Sequence, residues 1–243
     1  DLEIADYTGG RIHIPHVSSS RSVKLIRQYK DMGLHVTAEV TPHHLGLTEN
    51  FLENYNTNAK VAPPLRTHSD RKALIEGLID GTIDCIATDH APHTLEEKEH
   101  DIFHAACGMI GLETSFSASC TSLFKEGLVI EDIIHLFVNG PMSIINRSQN
   151  FLEKGEPVEL VVISEKEKWV VEESDIFSLP HFLSPFHPLT AHHPPCRIIQ
   201  QPLHHGVLKD IQRMAVSQVN NAALSVSIGP AGGRLTTVTA PTF

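Results

Sequence analysis

Residues 83–88 read IDCIAT, a short and almost wholly apolar run with Gly-Thr before it and Asp-His after it. A segment so short and so apolar suits a strand buried on both faces, which is the setting of a parallel sheet. Two further strand-like stretches lie upstream, residues 11–17 (RIHIPHV) and residues 35–41 (HVTAEVT). Between them residues 18–20 (SSS) offer helix caps. Val23, Ile26 and Tyr29 or Lys30 then recur on one face, and Gly33 closes the helix. Ahead of the third strand, Ser69 is placed to cap a second helix. Leu74, Leu78 and Ile79 form its inner side and Gly81 ends it. The order strand, helix, strand, helix, strand predicts a parallel α/β sheet. The connection over residues 42–68 is long for such a fold, and long structured loops in α/β proteins are usually functional.

Composition narrows the function classes. The chain has 243 residues, 41% hydrophobic and 20% charged, which fits one large or two small globular domains. It has no run of 18 apolar residues, so a membrane-spanning helix is excluded. A net charge of -10 argues against nucleic acid or an anionic membrane as partner. The four cysteines, Cys85, Cys107, Cys120 and Cys196, are spaced neither as a zinc knuckle nor as a disulfide framework. Cys85 reads as a small buried apolar residue. Reduced thiols and a cytoplasmic location are the expectation. The excess of histidine, 17 against one Trp, brings metal chemistry into view. Of the acidic residues only Asp210 follows Asp175, and the sequence there turns Pro/His-rich and then Ser/Thr/Ala/Gly-rich. Residues 178–243 are therefore expected to form an irregular tail. Its histidines, from His181 to His205, read as part of that composition rather than as ligands. The first ten residues, DLEIADYTGG, read as the end of a helix closed by Gly9-Gly10, as though the chain began within a domain.

His16 closes the first strand and Asp89 the third. In parallel α/β barrels the catalytic groups stand at the C-terminal strand ends. An imidazole and a carboxylate there suit zinc, and such a carboxylate can take a proton from metal-bound water. Spacing alone favours plainer roles: a hydrogen-bonded structural His, an Asp capping a helix, and His43-His44 as a simple turn pair.

The wording of the motifs shifts that balance. HVSSSRSV (16–23), TAEVTPHHLGLT (37–48), KVAPPLR (60–66), GTIDCIATDHAPH (81–93) and CGMIGLET (107–114) occur in order. Together they closely resemble bacterial-type dihydroorotases of the amidohydrolase superfamily, from about residue 1 to about residue 177. Allantoinases and dihydropyrimidinases (hydantoinases) share the architecture, but TPHHL and ATDHAPH favour dihydroorotase. The resemblance implies a partial TIM-type (β/α) barrel, strands six to eight, over 1–142. It also implies a return toward a small β domain over 143–177, where GEPVELVVI echoes the family pattern. It implies zinc as cofactor, with His16 a ligand at the end of strand six. Asp89 is then both ligand and catalytic acid/base at the end of strand eight. His93 falls where the family binds the substrate carboxylate. Cys107-Gly108 falls on a Phe-Gly pair that touches substrate through its backbone. Ala62 falls on a substrate-binding position where the family often has Asn, which puts one substrate hydrogen bond in question.

The implied reaction interconverts N-carbamoyl-L-aspartate and L-dihydroorotate in pyrimidine synthesis, with zinc-bound hydroxide attacking the cyclic amide. The implied partner is that small-molecule substrate, and the family is often oligomeric. The family's first-strand His-x-His with its substrate Arg, its strand-four carboxylate or carboxylated Lys and its strand-five His do not occur in this sequence. His13 and His16, in HIPH, belong to the strand-six motif. Two ligands fall short of the usual three. The expectation is therefore the C-terminal half of a dihydroorotase, inactive alone. The alternatives are another cyclic-amide hydrolase of the superfamily, or a non-catalytic dihydroorotase-like pseudo-enzyme or partner subunit.

Overall fold

The computed structural model describes residues 1–147 and, beyond them, only residues 163, 164, 170, 171, 176, 178, 197, 198, 225, 226, 235 and 236. The chain divides into two units, Asp1–Ile145 with Val170–Ala191, and Asn146–Trp169 with His192–Phe243. In the second unit, Ile163–Ser164 pairs antiparallel with Arg197–Ile198, and Ser225–Val226 with Leu235–Thr236. The remainder of the small β segment expected over 143–177, and of the irregular tail expected over 178–243, lies outside the described residues.

The first unit is built on three parallel strands in the order β1-β2-β3: β1 Ile12–Ile14, β2 Val36–Val40 and β3 Cys85–Ile86. Ile12 aligns with Val36, and Glu39 with Cys85. Each strand is shorter than its sequence suggested. Pro15 has no N–H to extend β1. Single backbone bonds, Asp84 N–H to Ala38 O and Ala87 N–H to Val40 O, carry β3 only a residue further each way. Val36, Ala38 and Val40 of β2 are buried, whereas Thr37 and Glu39 are half-buried on the other face. There His13 bridges them, with Nδ1 2.9 Å from Thr37 Oγ1 and Nε2 3.1 Å from Glu39 Oε2.

Helix α1 (Leu2–Thr8) precedes β1 and ends at Gly9 with φ 66°. Helix α2 (Ser20–Asp31) is capped by Ser19, which accepts the Ser22 N–H, and buries Val23 and Ile26. Pro42–Gly46 forms the short helix α3 after β2. Helix α4 (His68–Ile79) is capped by Thr67, not Ser69, because the Thr67 hydroxyl accepts the Asp70 N–H. This register turns Leu74, Ile75 and Leu78 inward and leaves Ile79 58% exposed, against the inner position expected for it. Gly77 lets α4 close onto its neighbours: a Cβ there would lie 3.1 Å from Val23 and 3.2 Å from Ile83. Helix α5 (Leu95–Lys98) follows β3, and α6 (Ser115–Leu123), α7 (Ile130–Phe137) and α8 (Asn139–Ile144) complete the unit. No helix among the described residues is long and apolar enough to cross a membrane.

Candidate active site at the ends of the parallel strands

Because the three strands run parallel, the residues that follow them gather at one end of the sheet. His16 comes two residues after β1, Thr41 and α3 directly follow β2, and Asp89 comes three residues after β3. His16 has φ 37° and Asp89 φ 47°, a left-handed backbone uncommon outside glycine. Such strain collects at functional sites and persists only where the surroundings impose it. Neither residue takes the plain role that spacing favoured. Asp89 caps no helix, since Thr94 caps α5. His16 Nδ1 is buried with no hydrogen-bond partner.

Burial raises the Asp89 carboxyl above its ordinary range; His16 opposes that rise and Glu39 adds to it. His16 also lowers the neighbouring imidazoles of His43 and His44, so His16 is the group whose charge reaches both Asp89 and the two histidines. His43 and His44 are the residues that the sequence did not place. They are not a surface turn pair: they sit in α3, only 1% and 2% exposed, with ring centroids 4.6 Å apart. Thr41 caps the helix and Pro42 opens it, which draws both imidazoles under the strand ends. His44 donates from Nε2 to Pro63 O at 3.1 Å and accepts the Thr41 hydroxyl at Nδ1, 2.7 Å away. Its pKa is lowered to about 4, chiefly by burial. His43 is pushed well below the ordinary histidine range, by burial first and then by its two histidine neighbours, and its Nε2 has no partner. The signal for them was a Thr-Pro cap directly after a strand.

The expected substrate-side residues form a second cluster. His93 Nε2 lies 2.9 Å from Cys107 O, and its Nδ1 lies 3.4 Å from Glu97 Oε2. Gly108 is buried with φ 137°, and a Cβ there would meet Ala91 at 2.8 Å and His93 Nε2 at 2.9 Å. Its N–H donates to Lys60 O at 3.0 Å, so the 107–108 segment lies against the strip that leads to Ala62. Ala62 and Cys107 are exposed. The orphaned imidazole nitrogens and the half-buried Asp89 carboxyl are the donor types a zinc ion takes. Yet among the described residues no group of three or more His, Cys, Asp or Glu is placed to hold a metal ion. These residues do not by themselves complete a zinc site.

The fold is similar to part of solved cyclic-amide hydrolases. L-hydantoinase (dihydropyrimidinase) from Arthrobacter aurescens superposes with TM-score 0.70 at 28% identity, covering 82% of this chain and 46% of that one. Dihydropyrimidinase from Brevibacillus agri NCHU1002 shares the fold at TM-score 0.71 and 15% identity, covering 82% of this chain and 44% of that one. In sequence the chain is dihydroorotase-like. It is 48% identical to the dihydroorotase of Caldicellulosiruptor saccharolyticus over 179 residues, 73% of this chain and 42% of that protein. It is 45% identical to the dihydroorotase of Thermoanaerobacter sp. over 188 residues, 77% of this chain and 43% of that protein. The chain thus spans less than half the length of these relatives. No family model matches it.

Proposed function

We propose that this chain supplies part of the active site of a dihydroorotase, a hydrolase that interconverts N-carbamoyl-L-aspartate and L-dihydroorotate. The observation that carries the reading is the 48% identity to a dihydroorotase over 179 residues. The hydantoinase alternative rests on weaker identity, 28% over the matched structure. The architecture that goes with the proposal is the strand-six to strand-eight part of a TIM-type barrel, with residues 1–142 as the barrel portion.

In this reading Asp89 is the acid/base. Its raised pKa suits a carboxyl that must both take and give a proton. In the hydrolytic direction a water oxygen bonds to the ring amide carbon, and Asp89 accepts the water's proton. The C–N bond then breaks as Asp89 returns the proton to the leaving nitrogen. His93 and the Cys107-Gly108 backbone orient the substrate, while Ala62 offers no side-chain hydrogen bond to it. Zinc is the cofactor of this reading, with His16 and Asp89 as two donors. Two donors are too few for a catalytic zinc site, so no step here runs through the metal.

The test is kinetic, in this chain assembled with the remaining barrel of a related dihydroorotase by fusion or co-expression. Asp89→Asn is expected to lower kcat by about 1000-fold or more, and His93→Ala chiefly to raise KM, by about tenfold. A His93 variant more damaged in kcat than Asp89→Asn would place the acid/base elsewhere. Hydantoin turnover without dihydroorotate turnover would favour the alternative.

A further inference from the structure

Lys98 is the last residue of α5, and it is 5% exposed with no carboxylate partner among the described residues. A buried ammonium without a counter-charge is costly unless its protons are all satisfied. Here backbone oxygens alone satisfy them. Nζ donates to Gly108 O at 2.5 Å, Ala106 O at 2.9 Å and Thr57 O at 3.1 Å, with Lys60 O at 3.5 Å beside them. The carbonyls come from two segments, 57–60 and 106–108, that are distant in sequence.

The carbonyls of residues 106 and 108 both turn toward Lys98, and the carbonyl between them, Cys107 O, turns instead to His93 Nε2. The Gly108 N–H is meanwhile fixed to Lys60 O. We propose that Lys98 is a positioning residue for the substrate-facing backbone. It grips alternate carbonyls of the 106–108 segment and so sets the direction of the Cys107-Gly108 peptide that faces His93. The inference deepens the dihydroorotase reading and rests on it for the identity of the substrate. It also accounts for Gly108: a segment pulled this tightly toward Lys98 brings residue 108 against Ala91 and His93, where no side chain fits. The Lys60 ammonium is a second brace, donating to Phe103 O and Ala105 O, and it makes no hydrogen bond to the carbonyls of residues 106–108.

Burial lowers the Lys98 ammonium to about 8; Cys107 opposes this and Lys60 adds to it, and these are the titratable groups facing it from the packed segments. At pH 6 the ammonium is therefore fully protonated. Lysine-labelled wild-type chain at that pH should show one ammonium resonance with slowly exchanging protons, lost in Lys98→Met. Amide exchange should then show protection at residues 106–109 falling about tenfold or more in Lys98→Met, with β1, β2 and α2 unchanged. In the assembled enzyme the same variant should raise KM for dihydroorotate about tenfold and alter kcat less than about threefold.

Unchanged loop protection overturns the proposal, as does equal loss throughout the sheet, which would make Lys98 a general folding residue. Where Lys98→Met fails to fold, the wild-type resonance decides: its absence means that the grip does not exist. Loop protection lost with KM unchanged also overturns the positioning role. An assembled wild-type enzyme that ignores dihydroorotate sinks the functional reading, and with it the substrate assignment. The resonance and exchange results would still report on the grip itself.

Discussion

His44 stays neutral in the fold because burial lowers its imidazole from 6.5 to about 4. Unfolding frees it to bind a proton anywhere between those values, so the unfolded chain gains as pH falls through that window. This displacement corresponds to roughly 3 kcal/mol of stability present above pH 6.5 and lost by about pH 4. His43 acts in the same direction. Urea unfolding at pH 7 and pH 4.5 should show this loss, and His44→Gln should flatten it. A slope unaffected by the substitution would mean that other groups titrate. Asp89 has the opposite sign. Its folded pKa is raised, so the folded state holds the proton more tightly, and stability falls as pH rises through that value. Asp89→Asn removes a half-buried charge, and Asn tolerates the left-handed φ of 47°. The variant should melt above the wild type at pH 7, while losing turnover in the assembled enzyme. A lower melting temperature would show that the carboxylate is held by favourable contacts instead.

Helix α8 meets the sheet at Gly140, and the contact leaves no room for a side chain. A Cβ there would press into the backbone oxygen of Asp84 and lie 2.9 Å from Cys85 Cβ, at the start of β3. Backbone cannot rotate away, so Gly140→Ala is expected to cost about 1–3 kcal/mol, read as a lower urea midpoint with an unchanged m-value. A neutral result would mean that α8 is free to shift. What could be foreseen at this scale was periodicity. Val23 and Ile26 of α2 and the presence of β2 follow from apolar spacing, which depends only on helix and strand geometry. The errors lie where close neighbours compete. Thr67 and Ser69 are both good caps, and the choice fell to Thr67, which serves Asp70 N–H. Ile79 is the last residue of α4 and stands at the edge of the face that Leu74, Ile75 and Leu78 bury, which leaves it outside. Of the candidate site, spacing marked only His16 and Asp89, polar residues just past the first and third strands, while His93, Cys107, Gly108 and Ala62 rest on the motif wording alone. His43 and His44 lie within a short helix whose start the Thr-Pro cap marks but whose burial it does not.

At the scale of the whole molecule, chemistry depends on how many groups converge. The described residues bring Asp89, His43 and His44 each within electrostatic reach of His16, and none of the described groups of three can hold a metal ion. A catalytic zinc site of the usual kind needs three protein donors and an open position for water. Two of the four groups are also unsuited to supply the third donor. His44 has both ring nitrogens engaged, with Thr41 and Pro63. His43 would have to turn within a closely packed helix where it is 1% exposed. The 243-residue chain by itself, with zinc added, is therefore expected to show no turnover of dihydroorotate or N-carbamoyl-L-aspartate above the buffer rate. The assay should follow both directions, with zinc binding measured in parallel by competition with a chelating dye. Weak binding that is lost in both His16→Ala and Asp89→Asn would fit two donors of a larger site. Turnover by the chain alone that disappears in Asp89→Asn would show that these residues suffice, and that His43 turns to complete the site after all.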